Sequence, residues 1–168
     1  RDHHPLAEAA WQAAVPQPLL AHLQAHEMDL HPQLREAWVA QGRRSTGSWA
    51  EVFGPDLRGQ EIFQAWHHAR FAQALATAGK AAYALPLYVN VALNRPGRKP
   101  GEYPSAGPLP HLFDVWKAAA PALDLIGLDI YFNDFVHWAR QFKRADNPVF
   151  VPEAHKAGRS DAAANAFF

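Results

Sequence analysis

The 168-residue chain contains no cysteine and one methionine, and its 16 basic and 16 acidic residues leave no net charge. The absence of cysteine excludes disulfides, thiol catalysis and zinc sites built on thiolates. Zero net charge removes the electrostatic basis for binding nucleic acid or an anionic membrane surface. No run of residues approaches the ~18–20 uncharged apolar residues that a membrane span needs. We therefore predict neither a nucleic-acid nor a membrane partner.

Apolar residues, by contrast, are plentiful. The chain is 49% hydrophobic and 12% aromatic, a composition that supports a packed core and argues against disorder of the whole chain. Its length fits one domain or a piece of a larger one. We favour a piece, because the chain starts at Arg1 without a signal-peptide pattern and stops at Phe167-Phe168 within an apolar run. The compartment and the oligomeric state stay open.

The first half of the chain predicts helices. Apolar residues recur at helical spacing over 5–41, where prolines divide the run into short pieces. After a loop at 42–59, apolar residues on one helical face predict a longer helix over 60–78, and Gly79 lies where its C-cap belongs. Four tryptophans fall at core spacing and are interpreted as packing residues: Trp11, Trp38, Trp116 and Trp138.

The second half alternates between strand and helix patterns. Short apolar runs predict a strand buried on both faces at 85–93, a second buried strand at 123–132 and a third short strand at 147–153. Helices are predicted at 109–119, at 134–142 and from Ser160 onward. The alternation is typical of βαβ units in a parallel sheet, so the predicted fold class is α/β. Three such strands cannot close a barrel and would leave two open edges, which again indicates part of a larger fold.

Polar residues lie at the carboxyl end of each predicted strand, where parallel α/β folds gather their functional groups. The three strands supply, in order, Asn90 and Asn94, Asp129 and Tyr131, and Glu153 and His155. Asp129 and Tyr131 are two residues apart, so both side chains leave the same face. Glu153 follows Pro-Val-Phe-Val-Pro, a setting in which a carboxylate needs a partner, and Tyr131 is a candidate donor. The alternative is a solvated glutamate just past a strand.

Histidines provide the only competing metal pattern in the sequence. His22 and His26 are four residues apart, as helical metal-binding pairs are, and His31 follows them closely. No glutamate stands between them in the zincin arrangement. We interpret these histidines as solvated helix residues and predict no metal or other cofactor.

Several longer strings together extend over nearly the whole chain. Two of them are Pro100-Gly-Glu-Tyr-Pro-Ser-Ala-Gly-Pro-Leu-Pro-His and Asn147-Pro-Val-Phe-Val-Pro-Glu-Ala, and the others lie at 1–3, 61–70, 78–81, 87–90, 93–97 and 129–132. With these strings the sequence resembles glycoside hydrolase family 35, and within it the bacterial β-galactosidase-like branch.

The resemblance implies a (β/α)₈ TIM barrel with a general acid/base glutamate after strand 4 and a nucleophilic glutamate after strand 7. Residues 1–168 would then be the C-terminal part of the catalytic barrel, truncated at both ends and holding strands 5 to 7. Glu153 matches the nucleophile, and Tyr131 matches the strand-6 tyrosine that contacts it. The acid/base glutamate would lie just before Arg1. The resemblance is compatible with a periplasmic or secreted enzyme.

A retaining glycosidase works with two carboxyl groups about 5–5.5 Å apart, of which one attacks the anomeric carbon and the other protonates the leaving oxygen. Glu153 is predicted to attack, while Asn90, Asp129 and, most weakly, Tyr103 in the long 94–110 loop are candidates for contacts with a β-galactoside. No other acid is an obvious proton donor, so we expect the chain alone to be inactive.

Two other functions remain as alternatives. The first is a non-catalytic carbohydrate-binding remnant of the same fold, which would keep the pocket wall without hydrolysis. The second is a small doubly wound nucleotide-binding domain, which the lack of a glycine-rich phosphate loop disfavours.

Overall fold

A computed structural model describes residues 2–93 and 95–155. The helices in these two ranges are α1 (Pro5–Gln12), α2 (Gln17–Ala25), α3 (Pro32–Ala40), α4 (Trp49–Phe53), α5 (Leu57–Ala82), α6 (Phe113–Ala119) and α7 (Phe135–Phe142). The strands are β1 (Tyr88–Ala92), β2 (Leu125–Ile130) and β3 (Glu153–Ala154), and a 3-10 turn at Pro110–Leu112 leads into α6. The predictions made for Asn94, for a helix from Ser160 and for Phe167-Phe168 lie outside the described residues.

The three strands form one parallel sheet in the order β1–β2–β3. This arrangement confirms the predicted α/β class. β1 pairs with β2 from Tyr88 opposite Leu125 to Ala92 opposite Asp129. β3 continues the sheet with Glu153 opposite Asp129. The carboxyl ends of all three strands therefore meet at one edge of the sheet.

Only one face of the sheet packs into the hydrophobic core. Val91 and its register partner Leu128 are buried on that face, together with Ile126 and Ile130 of β2. On the opposite face of β1, Tyr88 is 50% exposed and Asn90 is also exposed. The prediction that β1 is buried on both faces is therefore wrong for the part of the chain that the structure describes.

The prediction of short proline-divided helices in the first 41 residues is confirmed. Pro5, Pro18 and Pro32 each lie in the first turn of their helix, where the missing proline N–H costs no hydrogen bond. The predicted loop at 42–59 is wrong in part, because it contains α4. The Ser48 backbone N–H donates to the Glu51 carboxylate at 2.7 Å, which closes a capping box at the start of that helix.

Helix α5 is longer than the sequence pattern predicts. Asp56 caps its first turn by accepting hydrogen bonds from the backbone N–H groups of Arg58 and Gly59. At the other end the helix continues past Gly79, and the Tyr83 N–H still donates to the Gly79 carbonyl at 2.8 Å. The predicted C-cap at Gly79 is therefore wrong, since that residue lies within the helical hydrogen-bond ladder.

Of the third predicted strand, 147–153, only Glu153 lies in a strand, the two-residue β3. Pro148 and Pro152 have no N–H to donate to a ladder, which limits regular pairing along this segment. Asn147 compensates with its side chain: its Oδ1 accepts from the Ile126 N–H at 2.9 Å, and its Nδ2 donates to the Ile126 carbonyl at 3.0 Å. A fully buried amide thus replaces a ladder residue at the start of β2.

Replacing Asn147 with alanine is expected to destabilise the chain by about 2–4 kcal/mol. The substitution orphans the buried N–H and carbonyl of Ile126, and an unsatisfied buried group costs about 1–3 kcal/mol. Urea denaturation followed by tryptophan fluorescence measures the loss. Gln24→Ala, at an exposed position of α2, is the control, and equal midpoints for the two variants would contradict this account.

The four tryptophans that were interpreted as packing residues are all buried, which confirms their assignment to the core. Trp49 and Trp66 are buried as well, and the Trp49 ring meets the Phe63 ring edge-on at 5.2 Å. None of the helices within residues 2–93 and 95–155 is both long and apolar enough to cross a membrane.

Candidate functional site

Four polar or aromatic residues lie at the carboxyl ends of β2 and β3. Asp129 and Glu153 are register partners on neighbouring strands. Two residues further along each strand, the rings of Tyr131 and His155 stack with centroids 5.8 Å apart and planes inclined by 29°. We call these four residues the strand-end array. Because side chains alternate along a strand, both rows of the array belong to the same side of the sheet.

Asn90 of β1 binds Asp129, one of the four residues of the array. Its Nδ2 donates to both carboxylate oxygens of Asp129, at 3.0 and 2.8 Å. Asp129 is only 7% exposed, so this amide supplies hydrogen bonds that the carboxylate loses by leaving water. Two residues predicted to contact a sugar are thus bound to each other, and Asp129 is held in one orientation as a fixed acceptor.

Glu153 differs from its neighbour in being exposed. Within the described residues its carboxylate has neither a hydrogen bond nor an ion pair. The hydrogen bond predicted from the Tyr131 hydroxyl to Glu153 is not formed, although strand alternation places both side chains on the same face. The Tyr131 ring stacks on His155 instead, and Glu153 presents an unengaged carboxylate at the sheet edge.

The segment that leads into Glu153 runs close against β2 at Gly127. A Cβ atom on Gly127 would lie 2.9 Å from Pro152 Cδ and 3.1 Å from Phe150 Cδ1. A side chain at this position would force Pro152, and with it the neighbouring Glu153, away from the sheet. The absence of a side chain at Gly127 therefore sets how closely Glu153 approaches Asp129. A glycine inside a strand pattern is the sequence signal for such a close approach.

Tyr103 belongs to a different cluster, centred on the buried Glu61. The Tyr103 hydroxyl donates to the two Glu61 oxygens at 3.0 and 3.1 Å, and the Ala106 N–H and His111 Nε2 lie 3.2 and 2.9 Å from the same carboxylate. Burial, reinforced by the Glu61 charge and hydrogen bond, raises the pKa of Tyr103 well above its usual value. The structure thus links this predicted sugar contact to α5 through Glu61, and does not show it in the strand-end array.

A cavity of about 500 Å³ opens beside this cluster, within the size range of small-molecule sites. Tyr103, His111 and Glu61 line it, together with Leu34 of α3 and Ile62 of α5. Three cationic side chains also border it: Arg58, Arg98 and Lys99. Glu61 is not among the predicted site residues, although a lone carboxylate among the apolar residues of a helix face is a recognisable signal of a buried polar contact.

The histidines considered for a metal site take part in separate contacts. His22 Nε2 lies 3.1 Å from Asp114 Oδ1, so this ring is bound to a carboxylate and is not simply solvated as predicted. Burial, together with the charge of His111, lowers the pKa of His31. In residues 2–93 and 95–155 no group of three or more histidine, aspartate or glutamate side chains is arranged to hold a metal ion.

No protein-family model matches the chain, and no curated protein matches it. The resemblance to glycoside hydrolase family 35 therefore rests on the sequence strings given above. Chemically, the strand-end array combines an unengaged carboxylate, a fixed carboxylate beside it and a phenol on the same side. These are groups suited to nucleophilic attack on an electrophilic carbon and to binding of hydroxyl groups.

Proposed function

We propose that the chain is part of a retaining glycoside hydrolase of β-galactosidase type, with Glu153 as the nucleophile. The observation that carries the proposal is the β2–β3 register, which puts Glu153 beside the fixed carboxylate of Asp129 at the carboxyl edge. This edge is where (β/α)₈ enzymes hold their catalytic groups. The substrate is a terminal β-galactosyl residue, as the resemblance implies.

In the proposed reaction, a Glu153 oxygen attacks the anomeric carbon while the bond to the leaving oxygen breaks. The product is a glycosyl ester on Glu153, and a second carboxylic acid protonates the departing alcohol. Water then attacks the anomeric carbon, which releases galactose and regenerates the Glu153 carboxylate. Asp129, held by Asn90, accepts hydrogen bonds from sugar hydroxyls. This chemistry requires no metal or cofactor.

The exposed face of β1 supports the barrel part of the proposal. In a (β/α)₈ barrel the strands present one face to surrounding helices and the other to the barrel interior. Val91 and Leu128 lie on the face that packs into the core, whereas Tyr88 and Asn90 lie on the open face. The sheet β1–β2–β3 corresponds in this proposal to barrel strands 5, 6 and 7.

Covalent trapping tests the proposed nucleophile directly. The chain is incubated with 2,4-dinitrophenyl 2-deoxy-2-fluoro-β-D-galactoside, whose leaving group departs without protonation and whose fluorine slows hydrolysis of the ester. We expect one adduct per chain, located on Glu153 by peptide mass spectrometry. Because the leaving group needs no acid catalyst, the test does not depend on a second carboxylic acid. An adduct on any other residue would overturn the assignment.

Carbohydrate binding without hydrolysis is the second candidate function. The observation that favours it is the 500 Å³ cavity lined by Tyr103, which lies apart from the strand-end array. A chain of this kind would bind galactose or lactose in a calorimetric titration and yet give no adduct with the 2-fluoro reagent. The two measurements together separate the candidates.

A further inference from the structure

We propose that the 500 Å³ cavity beside Glu61 binds an acidic monosaccharide, a hexuronate, through Arg98, Lys99 and His111. The cavity lies between α3, α5 and the loop 95–109. The inference involves neither Glu153 nor the rest of the strand-end array, so it is independent of the proposed nucleophile. The observation behind it is that two unpaired cations and a buried ring nitrogen without a hydrogen bond belong to the lining of one cavity.

The buried nitrogen belongs to His111, which lines the cavity and is 8% exposed. Its Nε2 lies 2.9 Å from a Glu61 oxygen, and because a carboxylate only accepts hydrogen bonds, Nε2 is the donor. In the neutral ring Nδ1 is then an acceptor, and within residues 2–93 and 95–155 it has no hydrogen-bond partner. A buried acceptor without a partner is unfavourable. A ligand hydroxyl in the cavity would supply the missing donor.

Neighbouring groups hold the His111 ring in place. The Tyr103 and His31 rings approach it edge-on, with centroids 6.5 and 6.2 Å away. Glu61 also accepts from the Tyr103 hydroxyl at 3.0 Å and from the Ala106 N–H at 3.2 Å. Ala106 makes that bond at a φ of 66°, a conformation that a residue with a Cβ adopts at a steric cost. The wall around Glu61 is therefore fixed before any ligand binds.

Arg98 and Lys99 bring positive charge to the same cavity. Both residues are exposed, and neither side chain has a hydrogen bond or an ion pair within the described part of the chain. Their backbone is held in a turn, in which the Arg98 N–H donates to the Arg95 carbonyl at 3.1 Å and the Lys99 N–H donates to the Glu102 carboxylate at 2.9 Å. The two side chains thus start from a hydrogen-bonded turn, and their charges are available to an anion.

The other charges of the lining favour a ligand with one negative charge. Arg58 and Asp56 are ion-paired at 3.8 Å, and Glu61 is matched to the donors described above. Glu36 is the remaining carboxylate of the lining and has no hydrogen bond or ion pair in the described residues. Two cations and one anion are therefore left without such a partner, and a single carboxylate on the ligand balances the excess.

The apolar part of the lining suits a sugar ring. Leu34 and Ile62 are buried, Pro100 is half-buried, and all three line the cavity. Such side chains pack against the C–H groups of a sugar, and the volume is within the range of small-molecule sites. A hexuronate combines this ring with hydroxyl groups and one carboxylate. In the proposed complex the carboxylate binds Arg98 and Lys99, and a hydroxyl donates to Nδ1 of His111.

Three ligands test the proposal by calorimetric titration of the chain: galacturonate, galactose and acetate. Galacturonate and galactose differ only at C6, which is a carboxylate in one and a hydroxymethyl group in the other, whereas acetate has the carboxylate without the sugar. We expect galacturonate to bind at least about 10-fold more tightly than either, because hydrogen bonds between charged groups are the strong ones. Absence of galacturonate binding would overturn the proposal, as would an affinity equal to that of galactose or of acetate.

Matched variants place the binding at the cavity. Lys99→Gln should weaken galacturonate binding by about 10-fold and change galactose binding by less than about twofold. Lys143→Gln, at an exposed lysine that does not line the cavity, is the control and should change neither. His111→Gln keeps an amide N–H for Glu61 but has no acceptor in place of Nδ1, so it should weaken the binding of both sugars.

Thermal melting shows whether His111→Gln still folds, and if it does not, the comparison of the two lysine variants still decides. Equal affinity of Lys99→Gln and Lys143→Gln for galacturonate would overturn the proposal. Failure of the 2-fluoro galactoside to label Glu153 would instead refute the proposed nucleophile and would leave this binding site standing.

Discussion

Glu153→Gln is expected to abolish covalent labelling by the 2-fluoro galactoside and to lower hydrolysis in any active form of the enzyme by about 10⁴-fold or more, the scale seen when a member of a catalytic unit is removed. The amide has nearly the same shape as the carboxylate but no negative charge, so it cannot form the glycosyl ester. The Glu153 side chain is exposed and makes no hydrogen bond or ion pair within the described residues. The thermal melting temperature should therefore stay within about 2 °C of the original, since exposed substitutions usually change stability by less than about 0.5 kcal/mol.

A second glutamate serves as the matched control for this loss. Glu102 is exposed in the long loop, where its carboxylate accepts from the Lys99 N–H at 2.9 Å. Glu102→Gln should label at the rate of the unaltered chain. If Glu153→Gln labels normally while Glu102→Gln does not, the nucleophile lies in the loop and the assignment based on the strand-end array is wrong.

Local sequence patterns predicted those elements whose limits are set by neighbouring residues. The helix predicted over 134–142 corresponds to α7, because Asp134 caps it by accepting from the His137 N–H at 3.1 Å. Pro32 marks the first turn of α3 in the same way. In both cases the residue that marks the start of the helix lies within one turn of the helix that it begins. The local sequence pattern is therefore sufficient to predict where the helix starts.

The Glu61 cluster and the shortened third strand were not predicted, because both depend on contacts between residues far apart in the sequence. The Glu61 carboxylate is matched to Tyr103 and His111, which follow it by 42 and 50 residues, and no local pattern relates these three positions. The reduced third strand likewise depends on Asn147 binding Ile126, which precedes it by 21 residues. The capping box at Ser48 and Glu51 was a local signal, but the glycines and polar residues around it favoured a loop.

In the candidate site, too, the general placement of the residues was predictable from the sequence, but their specific contacts were not. Glu153, Asp129 and Asn90 were placed near each other by the rule that parallel strands end at one edge, and the structure brings them together there. The pairing of Asn90 with Asp129 and the stacking of Tyr131 on His155 were not predicted. These contacts depend on side-chain rotamers across strands, which the order of polar residues along the sequence does not specify.

The helical layer is held together by a buried carboxylate that is not part of the candidate site. Asp114 of α6 is 1% exposed, and it lies opposite α2 and the turn after α7. Arg144 donates to both of its oxygens, at 2.9 and 3.0 Å, and His22 Nε2 lies 3.1 Å from one of them. The Arg144 guanidinium also lies over the Phe113 ring, 4.7 Å from its centroid. The Asp114 carboxylate thus links α6 to α2 and to the turn after α7.

The pH dependence of this cluster follows from the direction of its pKa shift. Burial opposes ionisation of Asp114, but the hydrogen bonds from His22 and Arg144 outweigh it, so the pKa of Asp114 lies below its usual value. A carboxyl group whose pKa is lower in the folded chain than in the unfolded chain stabilises the fold at pH values above about 4. That contribution is lost as the pH falls through the lowered folded-state pKa.

Arg144→Met is therefore expected to lower the free energy of unfolding at pH 7 by about 3–5 kcal/mol, the usual cost of removing one partner from a buried ion pair. The substitution keeps the length of the side chain but leaves Asp114 buried with His22 as its remaining side-chain partner. Urea denaturation followed by tryptophan fluorescence measures the loss, which should shrink below about pH 4 as Asp114 is protonated. Arg140→Met, on the exposed surface of α7, should change the free energy by less than about 0.5 kcal/mol. Adding Asp114→Asn to Arg144→Met should recover part of the loss, because the double variant no longer buries an unpaired charge. If the two arginine variants prove equally stable, Asp114 does not hold the helical layer in place.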